Sequence, residues 1–233
     1  WNGTPGCHNF KTYTYKPNDN TDAYPLSDTS VYTTCIMDSM KIGPNGQYCN
    51  NFENPALSDF VALNTYSFKT GTLWEKGTPA QTIITSANSA PNAWMTDLDA
   101  DYTTSDSSSL ITPMFVVDTG TCYKLSMAHA YESTLNDDGG YVQYSTDKGL
   151  TWKILGGFLP GSIPDTTNFY QPTNWYNATF LNGAPNGLQP PAFSGSSSGW
   201  INSSIGMAVQ TPGDIIFRFN FASDDSGFGE TEG

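Results

Sequence analysis

Residues 214–222 run Asp-Ile-Ile-Phe-Arg-Phe-Asn-Phe-Ala, and their parity constrains the fold more than any other feature. Ile215, Phe217, Phe219 and Phe221 fall on one face of an extended chain, and Ile216, Arg218 and Asn220 on the other. Cys122–Tyr131 repeats the pattern, with Tyr123, Leu125 and Met127 sharing a parity. Ala62–Phe68, Gln81–Thr85, Ser109–Val117, Gly140–Ser145, Thr151–Leu155 and Ile201–Ala208 are further candidate strands, bounded by Gly, Pro, Asn and Asp. No run carries a helical stripe. Short strands at this spacing predict an all-β fold, a β-sandwich of two antiparallel sheets spanning 49–233. Residues 1–48, with a strand expected at Val31–Met37, read as an N-terminal extension or the tail of a preceding domain.

Charge narrows the function classes. The formal net charge is −13, and Arg218 is the sole arginine beside eight lysines. A nucleic-acid binder neutralises phosphates with a basic stripe, and none can be drawn here. No stretch approaches the roughly 18 apolar residues of a membrane helix. Cys7, Cys35, Cys49 and Cys122 form no C-x-x-C pair, which argues against structural zinc. An even count in an acidic, Thr/Ser/Asn-rich chain predicts an extracellular setting and two disulfides that tie down the N-terminal extension, with all three pairings open. Asn2, Asn177 and Asn202 head N-glycosylation sequons.

The stretch Ser145-Thr-Asp-Lys-Gly-Leu-Thr-Trp152 fits S-x-D-x-G-x-T-W, the Asp box of sialidases. Sialidases combine several such boxes with three arginines that grip a carboxylate. One box and one arginine point instead to a hairpin turn: Asp147 bonds nearby amides, Gly149 takes a left-handed conformation, and Trp152 returns to the core. His8 and His129 are the only histidines; on parity His129 joins Met127 and Tyr131 as a core residue. Asp118-Thr-Gly occurs once, whereas an aspartic peptidase needs two carboxylates sharing a proton. No paired acids alternate along one strand as a jelly-roll glycanase requires. Asp97, Asp99 and Asp101 resemble an EF-hand opening, but Tyr102 and Ser108 occupy the positions of its glycine and bidentate glutamate. The chain is therefore read as non-enzymatic.

Alternation stops between 156 and 200, a long loop insertion rich in Pro, Gly, Asn and aromatics. Loops of this length are commonly functional. Trp175, Tyr176 and Tyr170 are its candidate platforms for stacking on a glycan.

The ordered tracts Asn50-Asn-Phe-Glu-Asn, Leu73-Trp-Glu-Lys-Gly, Leu98-Asp-Ala-Asp-Tyr, Asp137-Asp-Gly-Gly-Tyr and Ile215…Gly233 resemble the MAM-like and immune-inhibitor-A-like jelly-roll modules of secreted bacterial surface proteins, many exported by the type IX route. The resemblance implies a jelly roll used for adhesion or assembly, with a glycan or another surface protein as partner, or as an accessory domain of a secreted peptidase or glycanase. It also implies structural calcium, with Glu53, Asp99 and Asp138 as ligands and Asp101 and Asp225 in reserve. In the family pattern a further strand follows the tract that ends here at Gly233: the expectation is that the protein continues beyond this sequence, the alternative being a missing strand whose open sheet edge another chain could fill by strand addition.

Overall fold

The computed structural model describes residues 6–13, 29–36, 39–43, 45–55, 59–66, 74–118, 122–157, 169–208 and 212–226. The chain divides into two units, Trp1–Asp38 and Ser39–Gly233. The first unit contains the hairpin of β1 (Gly6–Tyr13) and β2 (Thr29–Ile36). The pair is antiparallel and runs from Gly6 opposite Ile36 to Tyr13 opposite Thr29.

The second unit begins ten residues earlier than position 49. The reason is β3 (Ser39–Ile42), which pairs in parallel with β8 (Met114–Val117). Hydrogen bonds reinforce the join. Tyr123 donates its hydroxyl to the Ile42 carbonyl (3.0 Å), and Tyr48 donates to Asp59 Oδ2 (2.5 Å) while its ring packs on Phe115.

The larger sheet follows the order β11 (Lys153–Ile154), β10 (Gly139–Ser145), β14 (Gly213–Ala222), β7 (Ser107–Ile111), β4 (Val61–Tyr66), with β8 also on β14. The strand expected at Ser109–Val117 is two. Pro113 cannot donate to the ladder, and one extra residue is accommodated between the pairings of β7 and β8 with β14. Thr112 bridges the break: its N–H bonds the Phe217 carbonyl (3.0 Å) and its Oγ1 accepts from Phe217 N–H (3.1 Å).

A second sheet orders β12 (Phe169–Thr173), β13 (Ile201–Ala208) and β9 (Cys122–His129). One core joins the two sheets in a sandwich-like arrangement. Val142, Phe217, Ile215 and Phe115 enter from the larger sheet, Ile205 and Met207 from the smaller, with Leu125 and Met127 packed against them. β5 (Glu75–Gly77) and β6 (Ala93–Met95) form a small separate sheet over Ile84, Ala93 and Met95. The strand expected at Gln81–Thr85 is irregular; Gln81 instead turns its side-chain amide to the Ala100 carbonyl. Residues 158–168 lie outside the described residues, and the described part of the 156–200 segment is not simply loop. It contributes β12 and isolated bridges, among them Gly140 to Phe193 and Ala178 to Ala192. Among the described residues no helix is long and apolar enough to cross a membrane.

Candidate functional site

The turn after β10 is built almost wholly from itself. Ser145 Oγ donates to Asp147 Oδ1 (2.7 Å) and accepts from Gly149 N–H (2.8 Å). Asp147 Oδ1 accepts from Thr151 N–H (2.8 Å), and Oδ2 accepts from Thr151 Oγ1 (2.6 Å). Lys148 and Gly149 take positive φ angles of 61° and 87°, as a tight turn requires. The Thr151 hydroxyl and amide, with the Ser145 hydroxyl, favour the charged carboxylate and lower its pKa to about 2. Both Asp147 oxygens thus face the turn they organise.

Trp152 does not return to the shared core. It shares a face with Ile154 and Gln143, on the other side of the sheet, where the Arg218 guanidinium lies 4.2 Å from its ring. Arg218 Nε donates to Gln143 Oε1 (2.8 Å), which also accepts from Asn220 Nδ2 (3.2 Å). Asn220 Oδ1 accepts from Ser109 Oγ (2.7 Å). Burial lowers the Arg218 pKa to about 10. This polar row crosses three strands, and Gln143, Asn220 and Ser109 are all buried. The parity that marked these positions as polar is right, but their face is covered. Nearby, loop residues Leu181, Ala184 and Ala192 pack on Tyr141 and Ala222.

Asp138 is the centre of a loop junction. Its Oδ2 accepts from the Tyr102 hydroxyl (2.7 Å) and its Oδ1 from Asp224 N–H (2.8 Å). Its carbonyl accepts from Ser194 Oγ (2.6 Å) and Ser133 Oγ (3.0 Å). Tyr102 and Asp138 are only 1% and 2% exposed. Desolvation outweighs these hydrogen bonds and raises the Asp138 pKa; burial and the neighbouring carboxylate push the Tyr102 hydroxyl well above its ordinary value.

The five expected calcium ligands are not drawn together. Glu53 spends Oε1 on Asn92 N–H (2.8 Å) and Oε2 on Asn92 Nδ2 (2.7 Å), clamping two loops. Asp138 is occupied as described. Asp99 and Asp101 are exposed in a turn capped by Asp97, whose Oδ1 accepts from the amides of Asp99 and Ala100, and Asp225 is exposed beyond β14. Among the described residues no group of three or more His, Cys, Asp or Glu side chains is placed to hold a metal ion. These residues do not fit a shared calcium site, because the two best-buried carboxylates already serve as acceptors for loop amides and a hydroxyl.

His129 lies on the core face as parity predicts, stacked on Tyr131 and edge-on to Phe193. Burial lowers its pKa to about 4. Its Nε2 sits 2.7 Å from Ser203 Oγ, a serine–histidine pair that sequence reasoning missed. The signal was available only through pairing, since Ser203 stands opposite Met127 in the β13–β9 ladder. The pair is not assembled as nucleophile and base. Ser203 gives its one hydroxyl proton to the Asn174 carbonyl (2.5 Å), so Nε2 must be the protonated nitrogen that donates to Ser203. Ser203 is also 1% exposed.

Trp175 and Tyr176 spend their polar atoms inward. Trp175 Nε1 donates to the Leu155 carbonyl (3.2 Å), and the Tyr176 hydroxyl donates to the Val142 carbonyl (3.2 Å) and accepts from its N–H (3.0 Å). Both rings pack against Phe193 in the core. Part of each reaches an open groove of about 300 Å³ with Asn174, Thr179 and Pro191. Tyr170 lies in β12, and its side chain is outside the described residues. Asn177 ties its amide to both backbone groups of Ser194, Asn202 is exposed, and Asn2 lies outside the described residues.

Cys49 and Cys122 are exposed free thiols, so neither belongs to an expected second disulfide. Cys122 opens β9 on its outward parity, away from the core that Tyr123 enters.

β9 has pairing on one side only among the described residues. Its eight residues lie antiparallel to β13, from Cys122 opposite Ala208 to His129 opposite Ile201, and the other edge carries no described strand. No protein-family description, curated protein or solved structure matches this chain.

Proposed function

We propose that the chain is a non-catalytic extracellular module of jelly-roll type, working in adhesion or assembly within a larger bacterial surface protein, as its likeness to MAM-like modules suggests. The observation that carries this reading is the β9 edge. An eight-residue strand bonded on one edge only among the described residues offers backbone donors and acceptors to a strand from another surface protein or a second copy. Lys124 is the only charged side chain along it. Strand addition is also expected at the C-terminal end, where residues 227–233 lie outside the described residues; β9 is one of the edge strands among the described residues.

The test is sedimentation velocity across a concentration range, combined with hydrogen exchange of β9. Association should protect the outward amides of 122–129, and Ser126→Lys, which places a second charge on the exposed parity, should weaken association without shifting the melting temperature. A chain that stays monomeric, with β9 exchange unchanged by candidate surface partners, would sink the reading.

A glycan is a second reading, favoured by the groove beside Trp175 and Tyr176. A glycan array, followed by NMR shift mapping at Asn174 and Thr179, tests it. Hits whose shifts map elsewhere would remove the groove as the site.

A further inference from the structure

The four cysteines leave three pairings open by count, and the strand register of the first unit selects among them. β1 and β2 are antiparallel with Cys7 directly opposite Cys35, one step from the Gly6–Ile36 end of the ladder. Directly opposed residues in an antiparallel pair share a face, and their Cα atoms lie about 5.5 Å apart in hydrogen-bonded positions and about 4.5 Å in the others. A disulfide spans Cα separations of about 4.4–6.8 Å. Either kind of opposed pair therefore satisfies the requirement, whichever position 7 and 35 occupy. The remaining two cysteines, Cys49 and Cys122, belong to the other unit and are exposed free thiols.

We infer that Cys7 and Cys35 form a single disulfide at the base of the N-terminal hairpin, and that Cys49 and Cys122 remain thiols. The hairpin gives the bond a purpose. A lone two-stranded ribbon is at best marginally stable in water, and β1 and β2 pair with no other described strand. A bond near the open end of the ladder holds the strands in register and closes the chain between 7 and 35 into a covalent loop.

The chemistry is thiol–disulfide exchange with an external disulfide, either a small-molecule disulfide or the oxidised form of a dithiol oxidoreductase. Both thiols lose their protons, one S–S bond forms between Sγ of Cys7 and Sγ of Cys35, and the incoming disulfide leaves as two thiols with the electron pair. The pairing rests on register alone. That the bond is present in the native setting rests on the extracellular placement proposed above.

The test is peptide mapping of the full chain after equilibration with oxidised and reduced glutathione, with remaining thiols blocked by N-ethylmaleimide before digestion. Trypsin cuts after Lys11 and Lys41 but not efficiently at Lys16, which precedes Pro17, so Cys7 and Cys35 fall in separate peptides. The expected result is peptide 1–11 joined to peptide 12–41, lighter by two hydrogen atoms than the sum of the reduced pair. Cys49 and Cys122 should both carry the blocking group. A bridge involving peptide 42–69 or 77–124, or blocking group on all four cysteines, would overturn the inference. A bridge that forms in the redox buffer but is missing from protein recovered from its source would confirm the pairing and count against the extracellular reading. Cys35→Ser provides the control: it should leave Cys7 blocked and open the hairpin amides to exchange, while the melting of the second unit is unchanged.

Discussion

Two aspartates nine positions apart solve opposite problems. Asp147 is at the surface, and every hydrogen bond its side chain makes is to a residue within four positions. Asp138 is buried, and its carboxylate is met by Tyr102, 36 positions before it, and by Asp224, 86 positions after it. The environment moves their acidities apart, Asp147 down by hydrogen bonding and Asp138 up by desolvation. The difference separates a turn that organises itself from a junction that exists only after four distant segments have met.

Gly183 gives the sharpest way to break the comparison. Its N–H bonds the Asp137 carbonyl (2.8 Å), and an added Cβ would lie 2.6 Å from three backbone atoms of Asp137, Ser223 and Asp224. No side-chain rotation relieves contacts with backbone. Gly183→Ala should cost about 3 kcal/mol in urea unfolding. At Gly149 the added Cβ meets only the Trp152 ring at an ordinary 3.5 Å, and the cost is that of a left-handed alanine, about 1 kcal/mol. Equal losses at the two glycines would erase the distinction between junction and turn.

Removing the junction carboxylate is the next effect in size. Asp138→Ala leaves the buried Tyr102 hydroxyl and Asp224 N–H without their acceptor and should lower stability by about 2–3 kcal/mol. Asp138→Asn can still accept from Asp224 while its amide donates to the Tyr102 oxygen, and about 1 kcal/mol is expected. If both variants unfold at the same urea concentration, the charge rather than the acceptor is what the junction uses.

Inside the core, Tyr176→Phe removes the hydroxyl that serves both backbone groups of Val142 and should cost about 1–2 kcal/mol. A thermal melt identical to that of the parent chain would show that water replaces it.

The smallest effect is in pH dependence, where the two aspartates differ in sign. For Asp138 the folded pKa lies above the ordinary value of 3.8, so the native state holds a proton that the unfolded chain has released. Its contribution to stability therefore falls as pH rises through the window above 3.8. For Asp147 the folded pKa lies near 2, so its contribution is complete above 3.8 and is lost as pH falls towards 2. Urea unfolding from pH 2 to 7 should show Asp147→Asn flattening the acid-side rise and Asp138→Asn removing a decline at higher pH. Slopes of the same sign for both would show that the two environments have been misread.

How far the sequence carried each feature follows the range of its interactions. Parity along 214–222 and 122–131 located β14 and β9 and placed His129 towards the core, because a strand alternates faces whatever lies beside it. The spacing Ser145, Asp147, Gly149, Thr151 determined its turn, since all the partners lie within reach of a few dihedral angles. Parity could not say that the Gln143–Arg218–Asn220 face is covered too, because only packing of the 178–192 segment and the cation over Trp152 decides that. Nor could acid spacing distinguish a calcium ligand from a loop clamp: Glu53 and Asp138 have the right chemistry for either, and Asn92, Tyr102 and Asp224 reach them only through the tertiary fold. The cysteine count likewise left three pairings, and only the β1–β2 register set Cys7 opposite Cys35. Local geometry is written in residue spacing, whereas contacts between distant segments depend on register and burial, which a linear spacing does not encode.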